Sequence, residues 1–192
     1  MKKPKVKQYA ALLIFLLSSF FLLYPFLHEL GHALAAWLFG GRVVRITIYP
    51  SFCTECDLRP EQLVCYIVTA MAGILFPLFC SLLLDSRRVR GFLVVFSLRI
   101  MSLCYSLNEL VCVSRCVLGS TREVSDLSVL VYETGLSAYV SLVLAGFLLI
   151  LSLIFLVILE PMKDFTRFFG SRGSFSVFGE PTGYAGKGGY RR

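Results

Sequence analysis

Residues 28–32 read His-Glu-Leu-Gly-His, inside a long apolar run. Positions four apart share one face of a helix, so His28 and His32 can offer imidazole nitrogens to a single ion. Glu29 stands about 100° around from His28, within reach of a water held beside that ion. Two nitrogen ligands and a carboxylate base at this spacing suit zinc-dependent peptide hydrolysis. Three ionisable side chains in one turn are costly in hydrocarbon and are kept there mainly for function. The plainer reading, two packing histidines flanking a glutamate, leaves an acid at membrane depth without a reason.

A catalytic zinc takes three protein ligands and keeps one position open. The chain has 2 histidines, so the third ligand must be an acid or a thiol. His28 lies about ten residues before the end of its apolar run, which puts it roughly 15 Å deep. A partner must come from the same half of the bilayer, level with the end of the third span and the start of the fourth. Asp126, Glu109 and Glu133 all meet this condition, as does Asn108 among neutral residues. Asp126 is preferred because it opens a short helix after a flexible connection and can reach into a bundle. Glu109 and Glu133 stay open as rivals. Plainer roles exist for two of the three: an N-cap for Asp126, and an ion pair with Arg99 or Arg115 for Glu109.

The elements that must position these groups are membrane helices. The chain has 192 residues, of which 57% are hydrophobic, and a mean hydropathy of +0.76. A soluble domain of this size needs far more polar surface. Four stretches reach the ~20 residues that a crossing helix needs, at residues 9–39, 63–84, 92–118 and 136–159. The expected fold is an all-α polytopic membrane protein with four transmembrane helices. The first apolar run is much longer than a signal-peptide core and has no small-residue cleavage site, so it is expected to stay in the mature protein. Lys2, Lys3, Lys5 and Lys7, then Arg87, Arg88 and Arg90, then Lys163, Arg167, Arg172, Lys187, Arg191 and Arg192 fall on one side. Arg42, Arg45, Arg59 and Arg122 oppose them. The positive-inside rule places both termini in the cytoplasm of a multi-pass cell-membrane protein.

Between the spans, Gly40-Gly41 breaks the first helix, and residues 43–49 alternate like a strand or short hairpin beside the membrane. Pro50 and the polar TECDLRPEQ stretch close it. The C-x-x-C at Cys53 and Cys56 is read as an ordinary loop pair, since one such pair is a weak zinc signal. Ser125-Asp126 opens a short helix that Gly135 ends. The domain division is a transmembrane core over residues 1–160 and a basic, Gly- and aromatic-rich tail over 161–192. That tail cannot bury a core and is expected to be disordered near lipid headgroups. No internal repeat, phosphate-binding glycine loop or specific nucleic-acid site is present.

The segment HELGHALAAWLFGGRVVRITIYP at 28–50 resembles the site-2 protease family of intramembrane zinc metalloproteases. The likeness is a metalloprotease motif within a span, then a glycine break, then a short β segment. In that family a downstream aspartate completes the site, commonly in an Asn-x-x-Pro…Asp-Gly setting. Asn108 and Ser125-Asp126 are the nearest matches here, with no intervening proline and with Leu127 in place of the glycine. Ala72-Gly73 stands where a Gly-Pro is common. The resemblance implies one Zn2+ per chain on His28, His32 and Asp126, with Glu29 as catalytic base and Asn108 on the substrate backbone. It implies membrane proteins or peptides as substrates. It also puts the zinc nearer the cytosolic face, against the charge count. Two alternatives differ in kind: a catalytically inactive scaffold, and a metal-handling membrane protein.

Overall fold

The computed structural model describes residues 6–47, 52–58, 63–84, 89–119 and 125–157. The expected tail, the N-terminal lysines before Val6 and the Arg87–Arg88 pair lie outside these residues. The elements run α1 (Val6–Ser18), a π-helical turn (Ser19–Leu23), α2 (Tyr24–Leu38), β1 (Arg42–Thr47), β2 (Cys53–Asp57), α3 (Leu63–Leu83), α4 (Val89–Val117), α5 (Asp126–Thr134) and α6 (Ala138–Val157).

Among the described residues, four helical stretches are long and apolar enough to cross a bilayer: Leu13–Leu38, Leu63–Leu83, Gly91–Val117 and Ala138–Val157. The expected architecture of four apolar helices and a membrane-adjacent β segment is the one observed. The first stretch is a single helix through α1 and α2 with a wide turn in the middle. Proline has no N–H to give, so Pro25 removes one rung of the helical ladder. The backbone N–H of Tyr24 reaches back to the carbonyl of Ser19, one residue further than in an α-helix.

The helices approach each other where side chains are small. A Cβ on Gly31 would run into the backbone carbonyl of Ala72, so α2 and α3 touch almost backbone to backbone. Such contacts replace the hydrophobic drive that lipid cannot supply between spans. Pro77, inside α3, cannot donate to the carbonyl of Gly73 one turn earlier. Between α4 and α6 the buried hydroxyls of Ser106 and Ser152 stand 3.0 Å apart and tie the two spans together. Ile74 and Leu78 of α3, Val113 of α4, Leu127 and Leu130 of α5 and Leu148 of α6 form one packed cluster. The short helix α5 is thereby sunk into the bundle.

One assignment is corrected. The stretch beginning TECD is not a closing loop: Cys53–Asp57 is strand β2, antiparallel to β1 with Arg42 opposite Asp57 and Arg45 opposite Glu55. CTECD has no apolar face of its own, so it pairs only because β1 offers both backbone partners and opposite charges across the ladder. Cys53 and Cys56 therefore sit three residues apart on an extended strand, roughly 10 Å from Cα to Cα. That exceeds the reach of a disulfide, about 7 Å at most, and both thiols are free.

Candidate metal centre

His28 and His32 are one turn apart on α2 and are 5% and 8% exposed. Their Nε2 atoms stand 3.2 Å apart. Asp126, the first residue of α5, turns its Oδ2 to 3.1 Å from His28 Nε2 and 3.3 Å from His32 Nε2. Zinc bonds of ~2.0–2.2 Å at tetrahedral angles need donor atoms roughly 3.3–3.5 Å apart, so the triangle has the size of one tetrahedral face. Among the described residues this is the one group of His, Cys, Asp and Glu whose donor atoms converge for a metal.

The surroundings fit the same ion. His32 Nδ1 lies 2.7 Å from the carbonyl of Thr69 on α3. A carbonyl only accepts, so the proton sits on Nδ1 and the Nε2 lone pair faces Asp126. Gly73, one turn further along α3, lies against both rings: a Cβ there would be 2.5 Å from His32 Nε2 and 2.6 Å from His28 Cε1. His28 packs against Tyr105 of α4, with ring centroids 4.9 Å apart, and against Tyr24, one turn back on its own helix. His28 Nδ1 is buried with no hydrogen-bond partner, so on that side the ring is held by packing rather than by an acceptor.

Asp126 is free to point inward because a neighbour caps its helix. Ser125 is the N-cap, its hydroxyl accepting from the Ser128 N–H, so the plain capping role expected of Asp126 belongs to Ser125. The Asp126 side chain keeps 32% exposure. A carboxyl oxygen this close to the His32 Nε2 lone pair and to His28 Nε2 suits a cation between them.

The rivals for third donor go elsewhere. Glu133 is exposed near the end of α5. Glu109 is buried, but its oxygens accept from Ser125 and from the backbone of Asp126 and Leu127. Asn108 is exposed on α4, about 100° around from Glu109. Glu29 is half-buried on α2 beside His28. Its carbonyl accepts from the Thr54 hydroxyl, which fastens the hairpin over this end of the helix.

Nothing in the sequence singles out Thr69, Tyr24 or Tyr105, and Gly73 stands out there only as half of the Ala72-Gly73 pair. Faint signals exist: Tyr24, His28 and His32 share one helical face, as do Thr69 and Gly73. Nothing in the pattern joins those two faces.

Neither a curated protein nor a solved structure matches the chain. The family model described as Peptidase M50B-like matches residues 6–118, which takes in His28, Glu29 and His32 and stops short of Asp126. With its four apolar helices and its motif within the first of them, the chain belongs to the Peptidase M50B-like family and is a site-2 protease family member.

Proposed function

We propose that the chain is an intramembrane zinc metallopeptidase that cuts membrane-spanning or membrane-adjacent substrates. The observation that carries the reading is the triangle of His28 Nε2, His32 Nε2 and Asp126 Oδ2, with edges of 3.1–3.3 Å, beside the half-buried Glu29. One Zn2+ per chain would be held by His28, His32 and Asp126. When bound, zinc supplies Lewis acidity that brings the pKa of a water toward ~7.

The remaining chemistry belongs to the chain. Glu29 accepts the proton of the attacking water and returns it to the leaving amine. Thr69 holds His32 in the tautomer that leaves Nε2 unprotonated. Gly73 keeps space for both imidazoles. A helical substrate must unwind before its carbonyl can be attacked, because its backbone is closed by its own hydrogen bonds. Among the described residues β1 pairs only with β2, so its other edge can take the unwound segment by strand addition. Asn108 is proposed to contact that segment. The charge distribution supports cytoplasmic termini, and reporter fusions active on the outer side at either terminus would refute that placement.

The test uses protein extracted in mild detergent. The wild type should carry zinc and cleave a membrane-spanning reporter peptide. Glu29→Gln keeps the side chain's shape but cannot take a proton, so it should retain zinc and lose cleavage. Cleavage by Glu29→Gln at the normal rate, or a wild type that binds no metal, defeats the proposal.

A further inference from the structure

Glu109 is the most deeply buried acid in the described bundle, 3% exposed within the α4 span. Both carboxylate oxygens are occupied by the first turn of α5. Oε2 accepts from the Ser125 hydroxyl at 2.9 Å and from the Leu127 N–H at 2.9 Å. Oε1 accepts from the Asp126 N–H at 3.1 Å. The Ser125 N–H goes to the Ser128 hydroxyl at 2.8 Å, and the Ser128 N–H to the Ser125 hydroxyl at 3.3 Å. Every backbone donor from Ser125 to Ser128 is therefore satisfied.

A nine-residue helix does not need a buried acid from another span to begin. Ser125 and Ser128 already form a reciprocal capping box. Placing Glu109 in the bundle costs desolvation that helix initiation alone does not offset. The contact that the capping box cannot make is the one on Asp126 itself. Glu109 grips the backbone of Asp126 on one side and of Leu127 on the other, while the Asp126 side chain reaches 3.1 and 3.3 Å to the two histidines. Asp126 comes from the far side of the α4–α5 connection, so the triangle closes only if α5 is held at one depth against α4.

We propose that Glu109 is a positioning residue, which sets the third metal ligand by clamping the backbone of Asp126 without touching the metal. This rests on the reading of His28, His32 and Asp126 as a metal site. Gln in place of Glu109 keeps the volume but supplies one acceptor oxygen where two backbone N–H groups point at different oxygens. Its NH2 group must face one of them, donor to donor. The clamp then loosens on Asp126 or on Leu127.

The test measures Zn2+ affinity by chelator competition, and the visible absorption of Co2+-loaded protein, on the full chain in detergent. Glu109→Gln should weaken Zn2+ by about 10–100-fold, the usual effect of losing a group that orients a ligand. It should also lower or shift the four-coordinate Co2+ bands. Ser128→Ala breaks the capping box but not the clamp, so it should lower the melting temperature and leave affinity and spectrum within about twofold of wild type. In an Asp126→Asn background, Glu109→Gln should have little further effect on affinity, because its influence passes through Asp126. Should Glu109→Gln not fold, Glu109→Asp carries the same comparison, since its shorter arm cannot span both backbone donors. Wild-type affinity and spectrum in the Glu109 variant overturn the proposal, as does a loss no greater than that of Ser128→Ala. A wild type without metal, or Asp126→Asn binding as tightly as wild type, instead overturns the reading of the site itself.

Discussion

Gly73→Ala should damage the metal centre without altering any donor. The added Cβ would stand 2.5 Å from His32 Nε2, 2.6 Å from His28 Cε1 and 2.7 Å from His32 Cε1, where ordinary contact begins at 3.4 Å. The rings must give by roughly 0.7–0.9 Å in a close-packed interior. A metal site tolerates only about ±0.2 Å in its bond lengths. Retreat is obstructed on both sides. His32 is tied to Thr69 on the same helix as Gly73, at 2.7 Å, and His28 is backed by Tyr105 with centroids 4.9 Å apart. Without metal, His32 can swing aside by giving up the Thr69 bond, whereas with metal it must return, so the strain falls mainly on the loaded state. Overpacking of one methyl costs about 1–3 kcal/mol. At roughly 1.4 kcal/mol per decade, this weakens zinc by about 5- to 150-fold. The assay is chelator competition on detergent-solubilised protein, with cleavage measured alongside. Gly146→Ala is the control: nothing lies within 4 Å of its new Cβ, and alanine favours a helix by about 1 kcal/mol over glycine. Gly31→Ala strikes the Ala72 backbone instead, so it should lower the melting temperature whether or not metal is present. Wild-type zinc affinity in Gly73→Ala would refute the packing argument and the position of both imidazoles.

Asp126→Ala should weaken zinc by more than the about 10–100-fold expected for a merely orienting group, while Glu133→Gln, at an exposed position, leaves it unchanged; equal effects would disqualify Asp126 as the ligand. At Cys53, partial removal from water and the negative charge of Glu29 and Glu55 raise the thiol above its usual range. At Cys56, burial and Glu29 do the same. A raised pKa leaves less thiolate at neutral pH. Alkylation of both, followed by mass spectrometry of their peptide, should therefore be slower than for a free thiol near pH 7.5 and keep climbing above about pH 8.5. Fast labelling at neutral pH would refute this, and recovery of an intact Cys53–Cys56 disulfide would refute the strand geometry.

The membrane character, the spans, the Ser125 start and Gly135 end of α5, and the convergence of His28 with His32 were legible because each is local. A run of apolar residues needs lipid whatever surrounds it, and an i, i+4 pair shares a face on any helix. Strand β2 was illegible because CTECD has no pattern of its own, and its pairing is imposed by β1. The third donor was only narrowed, to Asp126, Glu109 or Glu133, since depth in the bilayer constrains all three alike. Tertiary packing brings only Asp126 of the three up to the two histidines. Glu109, on α4 rather than on the helix of the histidines, spends both oxygens on the first turn of α5, the contact from which its positioning role is proposed. Thr69 and Gly73 likewise acquire meaning only once α3 lies against α2, because the spacing of residues along one helix carries no information about which face of another helix it meets.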